Sequence, residues 1–182
     1  MPRTNHPSAP AEPPEPRVPA VTAGCGLAAF VLGLLYALAS VYWAAGGTVG
    51  LATVGGELER LLRSRATGMV AVVWLTAALK LAGALLGLAL ARDRRGPLPR
   101  WAVPALSWTA AAVLTLYGGV LVAGQVLVQL GAVAPAPDMD WRAFHWHLYL
   151  WDPWFLAWGL LLGAAVGARA RARRRNRDAA PG

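Results

Sequence analysis

The sequence predicts an all-α integral membrane protein, a bundle of four transmembrane helices with both termini cytoplasmic. Four apolar runs, at about 24–45, 67–91, 101–130 and 153–170, have the length and composition of membrane-crossing helices. Only segments that satisfy their own backbone hydrogen bonds survive in hydrocarbon, which makes these runs helical. Of the 182 residues, 57% are hydrophobic and 14% charged, whereas soluble domains hold about 45–50% apolar and about 25% charged residues. The arginines lie on alternate connections: with a cytoplasmic N-terminus, twelve fall on inside segments and four on outside loops. Cytoplasmic flanks are the ones enriched in Lys and Arg, so this orientation is expected.

Residues 1–20 form a Pro-rich cytoplasmic tail, with Pro2, Pro7, Pro10, Pro13, Pro14, Pro16 and Pro19. Such a segment builds neither helix nor core and is expected to be disordered. The four-helix membrane domain is placed at 21–170. Its first span is read as a retained helix, because the long proline-rich, partly acidic leader is unlike the short basic leader of a signal peptide. Cys25, the sole cysteine, excludes an internal disulfide and a thiol-rich metal site.

In the first loop, Glu57 and Glu59 are spaced to pair with Arg60 and Arg63 on a short interfacial helix. After the second span, Arg92 to Arg100 reads as a basic turn broken by Gly96, Pro97 and Pro99. Asp152-Pro153 is a good helix start, since Asp caps free amides and proline at the first position loses no hydrogen bond. From Pro153 to Ala168 a helix rises only ~24 Å, so the fourth span is expected to run on toward Arg171 before an Arg-rich tail, 171–182. Most tryptophans fall near span ends, where amphipathic rings favour the headgroup zone. Trp74, Trp108 and Trp158 lie deeper and are expected to pack inside.

Lys80 stands near the middle of the second span. A basic side chain there costs roughly 2.5–3.5 kcal/mol on insertion scales, so a partner is expected. Thr76, Ala77, Gly83, Ala84 and Gly87 share its helical face, and the Gly83/Gly87 spacing lets another backbone approach. Lys80 should therefore point inward. Tyr36 and Ser40 on the first span and Thr115 and Tyr117 on the third lie at similar depth, and Gln125 continues the polar stripe of the third. These six form a candidate intramembrane polar cluster. No Asp or Glu lies inside any of the four spans as read, which disfavours cation coupling.

The segment from Asp138 to Phe155 is the most distinctive stretch, with Asp140 placed to cap a short interfacial helix and a turn before Pro153. His145, His147 and Asp152 are candidate residues of an outer mouth. On a helix the two histidines point about 200° apart, so they share a metal only if the segment is extended. Neither a metal nor a cofactor is expected, and no catalytic residue is identified: Ser40 and Ser107 sit in no nucleophile elbow. Nucleic acid is not an expected partner either, because the arginines flank apolar segments instead of forming a basic surface with stacking aromatics.

The words Tyr42-Trp43-Ala44-Ala45-Gly46-Gly47-Thr48, His145-Trp146-His147 and Trp151-Asp152-Pro153-Trp154-Phe155 carry a resemblance. From about Gly24 to Ala168 the chain resembles a family of small four-helix membrane proteins common in actinobacteria and known as a domain of unknown function. That resemblance implies the fold and a membrane location, and no activity, cofactor or catalytic residue.

Two functions follow as expectations. The first is a structural or interaction protein of the bacterial plasma membrane, touching the lipid bilayer, with anionic lipids at the Arg-rich tail and a second copy or another membrane protein as partner. The Ala, Gly, Pro and Arg richness suggests a GC-rich bacterial genome. The alternative is a small transporter or membrane enzyme acting on an anionic or lipid-like substrate through a cavity around Lys80. An enclosed polar cavity from Lys80 toward Asp152 favours the alternative, and a dry packed centre favours the first reading.

Overall fold

The computed structural model describes residues 18–92, 99 and 101–179. The proline-rich segment 1–17 and most of the basic turn, 93–98 and 100, lie outside the described residues, so the readings made for them stay as sequence expectations. Helices are α1 (Ala20–Ala44), α2 (Gly56–Arg63), α3 (Thr67–Arg92), α4 (Ala102–Gln129), α5 (Trp141–Trp146) and α6 (Asp152–Asp178). A 3-10 turn, Leu51–Thr53, precedes α2, and a π-helical turn, His147–Trp151, joins α5 to α6. Four helices, α1, α3, α4 and the one ending at Asp178, are long and apolar enough to cross a membrane.

The four long helices run antiparallel as two hairpins, α1 with α3 and α4 with α6, joined through α1 against α6. The second and third spans, neighbours in sequence, touch only slightly. Two inner helices therefore carry two outer ones: 44% of the most apolar stretch of the helix ending at Asp178 is buried, against 11% in α4. Outer faces display large apolar side chains, among them Leu75, Leu79, Leu116 and Val120, each more than 60% exposed. Such continuous apolar surface suits lipid, where association depends on close packing and small residues.

Those small residues sit where the helices cross. A Cβ on Gly26 would stand 2.7 Å from the Gly87 carbonyl oxygen, and one on Gly87 would stand 2.7 Å from that of Gly26. The two backbones of α1 and α3 are thus in direct contact, as the small-residue face of the second span predicts. Below this contact Gly33 and Gly83 leave room for the Trp158 indole of α6, which is 2% exposed and anchors the main core with Leu162, Ala165, Val166, Ala29 and Ala84. Trp74 and Trp108 depart from the expected packing role, being 47% and 51% exposed. Depth along a span does not determine which way a ring points.

The first loop is held from both ends. Arg65, with φ of 55°, donates from Nη1 to the Ala44 carbonyl at 2.9 Å, satisfying one of the acceptors that α1 leaves open at its C-terminus. Arg60 pairs with Glu57, and Arg63 Nη2 lies 2.7 Å from Glu59 Oε1, as their spacing predicts. The Arg60 hydrogen bond holds the Glu57 carboxyl below its ordinary pKa. The three first-loop arginines, of the four that interrupt the charge asymmetry, therefore have local structural partners.

At the other end of the domain, α6 continues through the Arg-rich stretch, so the segment read as a tail from 171 is helical through Asp178. The expected turn before Pro153 is also absent. Helix runs on through the π turn, which falls just ahead of Pro153; proline lacks an amide hydrogen and crowds the carbonyl four residues back, and the wider turn accommodates both.

Candidate functional site

Lys80 leaves α3 toward α1. Its Nζ donates to Ser40 Oγ at 2.8 Å and lies 3.9 Å from the centroid of the Tyr36 ring, with the Phe155 ring 5.8 Å away. Ser40 and Tyr36 are one turn apart on α1, which places both on the side facing Lys80. Both are buried, at 2% and 7% exposure. One hydrogen bond and one aromatic face thus receive the ammonium, a combination that offsets desolvation where water is scarce.

Tyr36 is also the hub of an aromatic layer. Its ring stacks on Trp151 at 5.6 Å and meets Trp154 at 5.8 Å and Phe155 at 4.7 Å. Trp151 continues edge-on to Trp43 and donates Nε1 to Thr53 Oγ1 at 3.1 Å. Trp43 and Trp154 donate to the Val49 and Leu32 carbonyls, at 3.0 and 3.1 Å. Each of these three indoles spends its one donor internally while its ring fills the bundle, so they serve as packing as much as interface anchors.

Asp152 is buried, 2% exposed, and its carboxylate accepts from Gln125 Nε2 of α4. His147 Nδ1 lies 3.3 Å and 3.4 Å from the two carboxylate oxygens, and its Nε2 lies 3.2 Å from the Val54 carbonyl. Both ring nitrogens therefore face acceptors, an arrangement that the doubly protonated imidazolium satisfies and a neutral ring does not. Asp152 does not cap a helix start, as the Asp-Pro pair suggests it should; it ties α4, the π turn and the first loop together. Capping falls instead to Asp140, whose Oδ1 accepts from the amides of Arg142 and Ala143 at 3.0 and 3.1 Å.

Of the nine residues singled out from sequence, the structure brings Lys80, Tyr36 and Ser40 into one contact set. It brings Gln125, His147 and Asp152 into another, so Gln125 belongs to the outer group and not beside Lys80. Phe155 links the two aromatic neighbours, since Tyr117 meets it edge-on at 5.2 Å, although Tyr117 itself is 53% exposed. Thr115 goes elsewhere: a Cβ on Gly159 would stand 2.5 Å from its hydroxyl, placing it at the α4–α6 crossing. His145 is exposed, bonded within its own helix to the Trp141 carbonyl at 2.7 Å and stacked on Tyr149. The two histidines stand apart on helical backbone, and no group of three metal-ligating side chains forms among the described residues.

Trp151, Phe155, Thr53 and the Val54 carbonyl complete the site without having been singled out as part of it. Aromatic residues beside a predicted span end carried a signal for Trp151 and Phe155. Thr53 and Val54, in a glycine-rich loop about 90 positions away, carried none.

Four apolar crossings around a packed polar and aromatic interior define a small multi-pass membrane protein. The chain belongs to the family described as "Protein of unknown function (DUF3995)", whose model matches residues 33–162. The match takes in both contact sets and ends before the Arg-rich part of α6. No curated protein and no solved structure matches the chain.

Proposed function

We propose that this protein is a structural or interaction component of a bacterial plasma membrane, with both termini cytoplasmic. The observation that carries the reading is that the two charged groups of the interior are turned to protein partners: Lys80 to Ser40 and Tyr36, Asp152 to Gln125 and His147. Rings of Tyr36, Trp151, Trp154 and Phe155 crowd the region that a substrate cavity would occupy. A transporter or enzyme working through Lys80 needs that ammonium presented to a ligand, and here it is turned to protein partners. The arginine asymmetry supports the orientation. The composition supports a GC-rich bacterial source.

Complementation of a deletion strain tests this directly. Lys80→Met, His145→Ala and Asp152→Asn are each compared with a chain truncated before Arg171, with membrane insertion verified for every variant. Rescue by all three point variants, with loss of function on truncation, is the expected result. Failure of inserted Lys80→Met to complement, with intact stability, would favour the transport or catalytic alternative.

A further inference from the structure

At the end of the bundle opposite the outer loops, α4 and α6 enclose a half-open cleft of about 180 Å³. Pro104, Trp108, Val166 and Ala170 supply much of its apolar lining, and Arg169, Arg173, Arg174 and Arg177 complete it along α6. The geometry follows from spacing. Val166, Ala170, Arg173 and Arg177 recur at three or four residues along one face of α6, and the Trp108 ring lies beside Gly167, within 3.7 Å of where a Cβ would stand. The cleft therefore runs from a half-exposed tryptophan on α4 along the arginine-bearing face of α6.

We infer that this cleft binds one anionic phospholipid, with the phosphate on Arg173, Arg174 and Arg177 and the upper part of a chain along Trp108 and Pro104. Guanidinium pairs with phosphate oxygens in a planar, bidentate manner that an ammonium does not reproduce. Trp108, nearly two turns into α4 and 51% exposed, offers an apolar ring to the chain of such a lipid. The volume is below the roughly 300–1,000 Å³ of a pocket that encloses a whole small molecule, which suits a site holding one piece of an amphiphile while the remainder stays in the bilayer. This goes beyond a basic segment attracted to a charged leaflet: it names a cleft, one helical face and an apolar floor. It rests on the membrane reading above and not on the absence of a transport activity.

Native mass spectrometry of the full-length protein, released from nanodiscs of equal parts phosphatidylglycerol and phosphatidylcholine, provides the test. Retention of a phosphatidylglycerol molecule in preference to phosphatidylcholine is expected. In Arg173→Gln/Arg177→Gln that preference should fall about tenfold or more, since each basic residue near a charged lipid surface contributes several-fold. Trp108→Ala should weaken retention too, whereas the charge-matched Arg171→Gln/Arg175→Gln, altering arginines that do not line the cleft, should leave it nearly unchanged. Equal losses in the two double variants would mean diffuse attraction by the whole basic segment and would overturn the site, as would no preference between the two lipids. Displacement of the lipid by glycerol phosphate at comparable concentration would overturn it in favour of a soluble phosphate ligand. Complementation results do not bear on these outcomes, so the two proposals fail separately.

Discussion

Lys80 Nζ and Ser40 Oγ, carried by α3 and α1, meet at 2.8 Å across the packed interface of these two helices. A buried ammonium is costly when one partner is taken away, and far less so when the whole pair is replaced by apolar groups. Ser40→Ala should therefore destabilise by about 1–3 kcal/mol. Lys80→Met should be nearly neutral, and Ser40→Ala added to Lys80→Met should cost much less than it does alone. Thermal unfolding of the four proteins in one detergent gives the coupling energy. An additive result would mean that the hydrogen bond contributes nothing.

Glycine substitutions should divide sharply by place. Gly26→Ala and Gly87→Ala each drive a methyl group toward a carbonyl 2.7 Å from the Cβ position and should cost about 1–3 kcal/mol as overpacking. Gly24 and Gly68 have nothing within 4 Å of a Cβ. Their alanine variants should be neutral or stabilising by up to about 1 kcal/mol, because alanine favours helix. Unfolding midpoints of the four variants measure the contrast.

Trp158 is expected to be the most costly single truncation in the bundle. Removing its buried ring opens a cavity among Gly33, Gly83 and Leu162, and Trp158→Ala should destabilise by about 3–5 kcal/mol. Its Nε1 has no hydrogen-bond partner among the described residues, so Trp158→Phe removes an unsatisfied donor along with part of the ring. The phenylalanine variant should retain most of the stability. Chemical denaturation in mixed micelles compares the two.

Asp152→Ala should loosen the end of the bundle that carries the first loop, leaving Gln125 and His147 without their shared acceptor, at a cost of about 2–3 kcal/mol. Limited proteolysis between Gly46 and Ala66 should accelerate in that variant, because His147 no longer holds the Val54 carbonyl in place. His145→Ala, at an exposed residue bonded only within its own segment, should change neither measurement.

How far these contacts are readable without coordinates depends on which physical constraint acts at each residue. Hydrocarbon imposes length and hydropathy on the spans, and those properties are written locally, so all four helices are legible. The inward direction of Lys80 is legible for the same kind of reason: small residues repeat at helical spacing on its own face, and Ser40 and Tyr36 lie at matching depth. Asp152 shows where local reading fails. The Asp-Pro pair does stand at the start of α6, but Gln125 of α4 and His147 of the π turn claim the carboxylate, so it does not cap free amides. Trp108 and Thr115 fail for another reason, since depth alone does not tell which helix a face meets. The pairing of α1 with α6, in place of a closer contact between the second and third spans, decides those faces and leaves no periodic mark.

Cysteine labelling in whole cells tests the arrangement of the four crossings most directly. With Cys25 replaced by Ser, single cysteines are placed at Val49, Pro137 and Ala179 and exposed to a membrane-impermeant maleimide. Cysteines at 49 and 137 should label on intact cells, and the one at 179 only after permeabilisation. Labelling at 179 together with 49 on intact cells, or at 49 and 137 from opposite sides, would contradict four antiparallel crossings with both ends inside.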